Sequence, residues 1–130
     1  WNMGSPIKVD VEKRQTKALN MPIDKEIYYD FKVKCKKNGL PLNIVVETFM
    51  NQYANGRYNL SEKSILKFKD SVSTKDTDVF NIMFEKNIYN RFKDVVKDNG
   101  FYIRHVVYAF VEDYAYSDLT LEFVRNKKTK

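Results

Sequence analysis

Apolar and polar residues alternate in two short segments of the chain, residues 19–23 and residues 80–84. A period of two is typical of a β-strand that buries one face. The sequence therefore predicts two short strands. Their apolar faces carry Leu19, Met21 and Ile23 in the first, and Phe80, Ile82 and Phe84 in the second.

Each predicted strand is followed by two stretches with helical spacing of apolar residues. The first helix begins beside an acidic residue, Asp24 or the poorer capping residue Glu85, and ends at an Asn-Gly pair. The second helix is predicted over residues 42–54 and, in the other segment, residues 103–115. The apolar stripes comprise Ile27, Phe31, Cys35, Val45, Val46, Phe49 and Tyr53, then Ile88, Phe92, Val96, Val106, Val107, Phe110 and Tyr114.

The two segments are copies of one unit. A shift of 61 residues aligns residues 19–60 with residues 80–121 without a gap. One strand with two helices is too small, at about 40 residues, to close a core alone. We expect the copies to pair, strand against antiparallel strand, over four helices. Identical pairs include Asn20/Asn81, Ile27/Ile88, Tyr28/Tyr89, Phe31/Phe92, Asn38/Asn99, Gly39/Gly100, Val45/Val106, Phe49/Phe110 and Tyr53/Tyr114.

The repeats divide the chain into five parts: a tail of residues 1–16, a first repeat over 17–60, a linker over 61–77, a second repeat over 78–121 and a basic tail over 122–130. Residues 1–5 look like added or processed sequence, with Met3 a candidate native start. The linker should contain a short helix capped by Ser61. It is long enough for pairing within one chain, and exchange of repeats between chains remains open.

Composition narrows the classes of function. The chain has 130 residues, a formal net charge of +6, one cysteine and one histidine. These counts exclude an internal disulfide and a metal site built on several cysteines or histidines. No catalytic group can be assigned, so we expect no enzyme, no metal and no cofactor. Neither a transmembrane run nor a signal peptide is expected, so no membrane partner is predicted. Cys35, on an apolar stripe, is expected to be a buried structural thiol.

Strand, acid-started helix, Asn-Gly turn and second helix together resemble the ribbon-helix-helix DNA-binding family of the Arc/MetJ type. Two copies on one chain are similar to plasmid-transfer accessory proteins of the TraY type. The resemblance implies a mainly α fold with a short two-stranded antiparallel ribbon, packed as a tandem, intramolecular pseudo-dimer. It is carried by residues 19–24, Ile27, Phe31, Asn38, Gly39, Asn43, Val45, Val46 and Phe49, and by residues 80–85, Ile88, Phe92, Asn99, Gly100, Val106, Val107 and Phe110.

In that family the ribbon enters the DNA major groove, and its outward side chains read the bases. Asn20 and Asn81 are the leading candidates, because an amide can bond N6 and N7 of adenine together. Phosphate would be bound at the ribbon's end and at the N-terminus of each second helix. The implied base-reading residues are Ala18, Asn20, Pro22, Val79, Asn81 and Met83. The implied phosphate-binding residues are Lys17, Leu42, Asn43, Ile103, Arg104 and His105.

Two features depart from the family pattern. Four of the six outward positions are apolar, and one of them, Pro22, lacks a ladder donor, which fits a strand edge or end better than a centre. Charge is also uneven, at +3 over residues 17–60, −2 over 78–121 and +3 over 122–130. His105 is either a surface residue or a phosphate contact, and the basic tail is either solvated or a phosphate-binding arm.

The expected function is sequence-specific binding of double-stranded DNA at an asymmetric site. The expected role is a transcriptional regulator, such as a repressor, of a phage or plasmid, bound to the nucleoid in the cytoplasm of a bacterial, archaeal or phage-infected cell. An alternative is a plasmid transfer-origin or partition accessory protein. An alternative of another class is a protein-interaction module that has lost DNA readout and binds itself or a second protein through its second repeat.

Overall fold

The computed structural model describes residues 15–67 and 76–117. This part of the chain forms a two-stranded antiparallel sheet and five helices. The element order of each predicted repeat is confirmed, and a short helix lies where the linker helix is predicted. The elements are β1 (Thr16–Asp24), α1 (Lys25–Lys37), α2 (Leu42–Ala54), α3 (Glu62–Leu66), β2 (Thr77–Glu85), α4 (Lys86–Asp98) and α5 (Ile103–Tyr116). Most of the N-terminal tail, linker residues 68–75 and the basic tail lie outside the described residues.

The two strands pair with each other as predicted, one from each repeat. Asn20 lies directly opposite Asn81 at the centre of the register. Both strands are longer than the alternating segments that predict them. The added residues, such as Thr16 and Asp78, are exposed and extend the strands by backbone pairing. The inward face of the ribbon is buried over its central part, at Leu19, Met21, Ile23, Phe80, Ile82 and Phe84.

Hydrogen bonds just beyond the two ends of the ribbon fix the phase of its ladder. The N–H of Lys25 donates to the carbonyl of Asp76 at 2.9 Å, and the N–H of Lys86 donates to that of Gln15 at 2.9 Å. Hydrogen-bonded and non-hydrogen-bonded pairs alternate along antiparallel strands. These two bonds therefore show that the odd-numbered residues of β1 form the hydrogen-bonded pairs. Pro22 therefore occupies a non-hydrogen-bonded pair with Val79, where no ladder donor is required. Both strands of a two-stranded ribbon are edge strands, and Pro22 lies two residues from the end of β1, in agreement with the expected edge or end position.

Side-chain caps begin the first helix of each repeat. The carboxylate of Asp24 accepts from the N–H groups of Glu26 and Ile27 at 2.9 and 3.1 Å. Glu85 is a poorer capping residue on sequence grounds, yet its carboxylate accepts from the N–H of Asn87 at 3.0 Å. Both helices end before a glycine with positive φ, as predicted.

Replacing Asp24 by alanine is expected to lower the free energy of unfolding by about 1 kcal/mol, because two N–H groups of α1 lose their acceptor. Urea denaturation followed by circular dichroism measures this change. Asn90→Ala, an exposed substitution within α4, is the matched control and should be neutral or slightly stabilising. Equal stability of Asp24→Ala and the wild type would contradict the capping role.

Aromatic side chains from equivalent positions of the two repeats meet at the centre of the core. Phe49 on α2 stacks on Phe110 on α5, with ring centroids 4.1 Å apart and planes 10° apart. The neighbouring contacts are reciprocal: Phe31 meets Tyr114 at 5.7 Å, and Phe92 meets Tyr53 at 5.5 Å. Each repeat therefore completes the core of the other, as expected for units that cannot bury their apolar faces alone.

The residues of the Asn-Gly turns also bridge the repeats. The amide of Asn38 donates to the hydroxyl of Tyr114 at 2.8 Å, and the amide of Asn99 donates to that of Tyr53 at 3.1 Å. These four residues are two equivalent pairs, since each partner lies 61 positions from its counterpart. The turn asparagines thus fix one repeat against the second helix of the other.

The segment after α2 breaks the equivalence of the two halves. It crosses α5, where Ile65 of α3 is fully buried and Lys67 forms a salt bridge with Glu112 at 3.1 Å. The hydroxyl of Tyr58 donates to the carboxylate of Asp113 at 2.5 Å. Burial, together with that carboxylate, raises the pKa of Tyr58. The start of the linker is therefore part of the packed structure.

Cys35 is buried, as predicted, with 1% of its surface exposed. Burial raises the pKa of its thiol to about 11. Because the thiolate is the reactive species, we expect alkylation by iodoacetamide at pH 8 to be about 100-fold slower in the folded protein than in urea. Mass spectrometry of timed samples measures both rates. Equal rates would show that the thiol is accessible.

Candidate nucleic-acid interface

The outward face of the ribbon is exposed, except at its last positions, Asp24 and Glu85, which are half-buried. All six predicted base-reading residues lie on it, in three cross-strand pairs. Two of them are large and apolar: Val79 is 61% exposed and Met83 is 56% exposed. The pairs are Ala18 with Met83, Asn20 with Asn81, and Pro22 with Val79.

Asn20 and Asn81 form the central pair of this face. The ladder phase makes it a non-hydrogen-bonded pair, in which Cα atoms approach to about 4.5 Å and side chains lie close together. Neither amide makes a hydrogen bond with another residue in 15–67 or 76–117. Each therefore presents a donor and an acceptor to a ligand that approaches the ribbon.

The second helix of each repeat begins without a side-chain cap. Pro41 precedes α2 and Tyr102 precedes α5, and neither side chain accepts from the helix. The N–H groups of the third and fourth residues beyond each cap return to the cap carbonyl at 3.1–3.2 Å. This leaves the first two N–H groups of each helix, from Leu42 and Asn43 and from Ile103 and Arg104, without an acceptor in the described part of the chain.

Side chains from the second helices fix these helix starts near the two ends of the ribbon. The N–H of Glu85 donates to the carboxylate of Glu47 on α2 at 2.7 Å. The N–H of Asp24 donates to the hydroxyl of Tyr108 on α5 at 2.9 Å. Positions 47 and 108 are equivalent in the repeats, so α2 is attached at one end of the ribbon and α5 at the other. Because one is a carboxylate and the other a phenol, alignment of the two repeats does not indicate this shared role.

The two ends of the ribbon differ in charge. Lys17, which is exposed, lies near the end held by α2. Its equivalent in the second repeat is the exposed acid Asp78, near the end held by α5. The start of α2 carries the neutral Asn43, whereas the start of α5 carries the exposed Arg104. Lys17 and Arg104 thus lie at opposite ends of the ribbon, one on a strand and the other on a helix.

The remaining predicted phosphate contacts have mixed surroundings. The side chains of Leu42 and Ile103 pack against the core. Only the backbone N–H groups of these two residues could therefore contact a phosphate. His105 is half-buried, its N–H donates to Tyr102 at 3.1 Å, and its ring meets that of Tyr102 edge-on at 5.4 Å. The backbone N–H of His105 is thus used within the helix start, in contrast to that of Arg104.

Metal-binding clusters and membrane-spanning helices are two further features that bear on function in residues 15–67 and 76–117. This part of the chain contains no cluster of three or more His, Cys, Asp and Glu residues that could hold a metal ion. Within the same residues, no helix is both long enough and apolar enough to cross a membrane. Comparison of the chain with protein-family models, curated proteins and solved structures found no match.

Proposed function

We propose that this chain is a non-enzymatic, sequence-specific binder of double-stranded DNA, built as a single-chain ribbon-helix-helix pair. The observation that supports this most is the exposed ribbon with Asn20 opposite Asn81, neither amide being hydrogen-bonded to another described residue. A two-stranded ribbon fits the width of the major groove. Two adjacent amides at its centre present the groups that hydrogen-bond adenine there.

The helix starts supply the second part of the proposal. Free N–H groups at a helix N-terminus, together with the helix dipole, bind phosphate. One such terminus, at Leu42 and Asn43, is attached at one end of the ribbon, and the other, at Ile103 and Arg104, at the opposite end. With the ribbon in the groove, they would hold the DNA backbone on each side. Phosphate contacts set the register, and base contacts specify the sequence.

The charge pattern favours an asymmetric site. Lys17 at one end and Arg104 at the other are basic residues at positions that are not equivalent in the two repeats, so each end would contact phosphate through a different element. The flanking pairs also differ, with Met83 and Ala18 on one side of the asparagines and Val79 and Pro22 on the other. We therefore expect two unlike half-sites rather than a palindrome.

Selection from a library of duplexes with a random 25-base-pair centre tests the proposal. Enrichment of one sequence family, bound more tightly than a scrambled duplex at about 0.15 M salt, supports it. Affinity should fall steeply as salt rises, because bound phosphates release counterions. No enrichment, together with no gel shift at about 0.05 M salt, would overturn it.

Single-chain pairing has its own test. Because β1 and β2 pair within one chain, sedimentation should give a monomer, and the complex should contain one chain per duplex. The melting temperature should also be independent of protein concentration. A dimer with a concentration-dependent melting temperature would indicate exchange of repeats between chains.

The biological role follows from the resemblance to the family. Control of transcription on a phage or plasmid is the leading assignment, and transfer-origin or partition functions use the same contacts. One observation favours the alternative class, a protein-interaction module. Val79 and Met83 expose apolar surface on the ribbon, and such surface also suits a protein partner. Loss of self-association or partner binding in Val79→Ser with Met83→Gln, combined with no duplex enrichment, would favour that class.

A further inference from the structure

The outward face of the ribbon contains no lysine or arginine. Guanine presents only acceptors, N7 and O6, in the major groove, and arginine or lysine is its usual partner. The outward positions of β1 and β2 carry Thr16, Ala18, Asn20, Pro22 and Asp24, then Thr77, Val79, Asn81, Met83 and Glu85. Lys17 lies among the odd-numbered residues of β1, which face the core side, and stands opposite the buried Phe84.

The outward face also lacks an uncommitted carboxylate for cytosine. Its N4 amine requires an acceptor, usually a carboxylate. The two outward carboxylates, of Asp24 and Glu85, already accept N–H groups at the starts of α1 and α4. Their use as helix caps ties them to the protein backbone. The outward face of the described ribbon therefore offers neither of the usual side-chain partners of a G·C pair.

The groups that remain match A·T pairs. An asparagine amide donates to N7 of adenine and accepts from its N6 amine. Because Asn20 lies opposite its equivalent Asn81, one amide would be available to each DNA strand with the ribbon in the groove. On both sides of the asparagine pair, exposed apolar side chains could contact the methyl group of thymine, as apolar residues do in the major groove. Val79 and Met83 are the larger of these, at 61% and 56% exposed.

We propose that this ribbon selects an A·T core in the major groove, with adenine read by Asn20 and Asn81 and thymine methyl groups read by Val79 and Met83. The inference rests on the proposed function and defines the class of DNA that it binds. Both bases of the pair are recognised by groups that point into the major groove, so the preference does not depend on the narrow minor groove of A·T sequences.

The test starts from the duplex family enriched in the random selection. We expect a core of A·T pairs at the contacted positions and a loss of about 100-fold when two of these pairs are changed to G·C. Two modifications then act only in the major groove. Deoxyuridine in place of thymine removes the methyl group, and 7-deaza-adenine removes N7. Each should weaken binding about 10-fold, because each removes one recognised group.

Matched variants assign each effect to its residues. Asn20→Ala with Asn81→Ala should abolish the effect of 7-deaza-adenine and keep that of deoxyuridine. Val79→Ser with Met83→Gln should do the reverse. Val33→Ser, at an exposed position on α1, is the control and should keep both effects. All these side chains are exposed, and circular dichroism checks that the variants fold.

The outcomes separate this inference from the proposed function. An enriched core with invariant G·C pairs at the contacted positions would overturn the inference and leave DNA binding intact. An A·T core whose affinity is unchanged by both modifications would point to minor-groove shape and would also overturn it. Failure to enrich any duplex, together with no gel shift at low salt, would overturn the proposed function itself.

Discussion

Replacement of Phe110 by alanine should lower the free energy of unfolding by about 3–5 kcal/mol. The side chain is fully buried, stacks on Phe49 at 4.1 Å and contacts Phe31 at 6.4 Å between ring centroids. Its removal leaves a cavity between helices of both repeats, and neither repeat can move to fill it without opening its own contacts. Domains of this size are stable by about 5–15 kcal/mol, so the loss is a large share of the total.

Urea denaturation followed by circular dichroism measures this change. Val33→Ala is the matched control, because Val33 is 46% exposed on α1, and it should change stability by less than about 0.5 kcal/mol. Phe110→Leu, with an expected loss of about 1–2 kcal/mol, keeps the comparison measurable if the alanine variant does not fold. A loss below about 1 kcal/mol for Phe110→Ala would contradict a shared core.

The largest expected effect on binding comes from Asn20→Ala combined with Asn81→Ala. Each bidentate contact to adenine contributes about 1–3 kcal/mol of discrimination, so the double variant should lose about 2–6 kcal/mol, at least a 30-fold change. Binding to a scrambled duplex should be unchanged, because neither substitution removes a charge and non-specific binding is electrostatic. Fluorescence anisotropy with both duplexes at one salt concentration gives the ratio.

Asn90→Ala supplies the control for this pair. It is also an exposed asparagine, but it lies on α4 rather than on the ribbon, so it should leave both affinities unchanged. An unaltered ratio of specific to non-specific affinity in the double ribbon variant would show that the ribbon does not read bases. DNA binding by another surface would then remain to be located.

Much of the fold could be predicted because the repeat reinforces weak local signals. A single alternating segment of five residues is ambiguous, but the same alternation at Leu19 and Phe80, each followed by the same helix and turn, is not. The strand ends could not be predicted in this way. Thr16 and Asp78 are polar and exposed, and they become extended because a partner backbone lies beside them, which is a tertiary effect.

Less of the candidate site than of the fold could be predicted from the sequence. The opposition of Asn20 and Asn81 depends on the register between strands, and the tolerance for Pro22 depends on which pairs carry hydrogen bonds. Neither can be derived from one strand's sequence. The contacts of Glu47 and Tyr108 could not be predicted either, because a carboxylate and a phenol accept the equivalent backbone hydrogen bond at equivalent positions. Glu85 caps its helix despite its longer side chain, since local backbone geometry brings the carboxylate to Asn87.

The pairing of β1 and β2 within one chain frees the two strands to diverge. In an assembly of identical subunits, one substitution appears at both positions and must suit both. Here a change at position 17 leaves position 78 untouched, and the chain has a lysine at one and an aspartate at the other. The same covalent link makes a complete ribbon available from a single molecule. The concentration of complete ribbons therefore rises in direct proportion to the concentration of the chain, whereas that of a weakly associating dimer rises with its square.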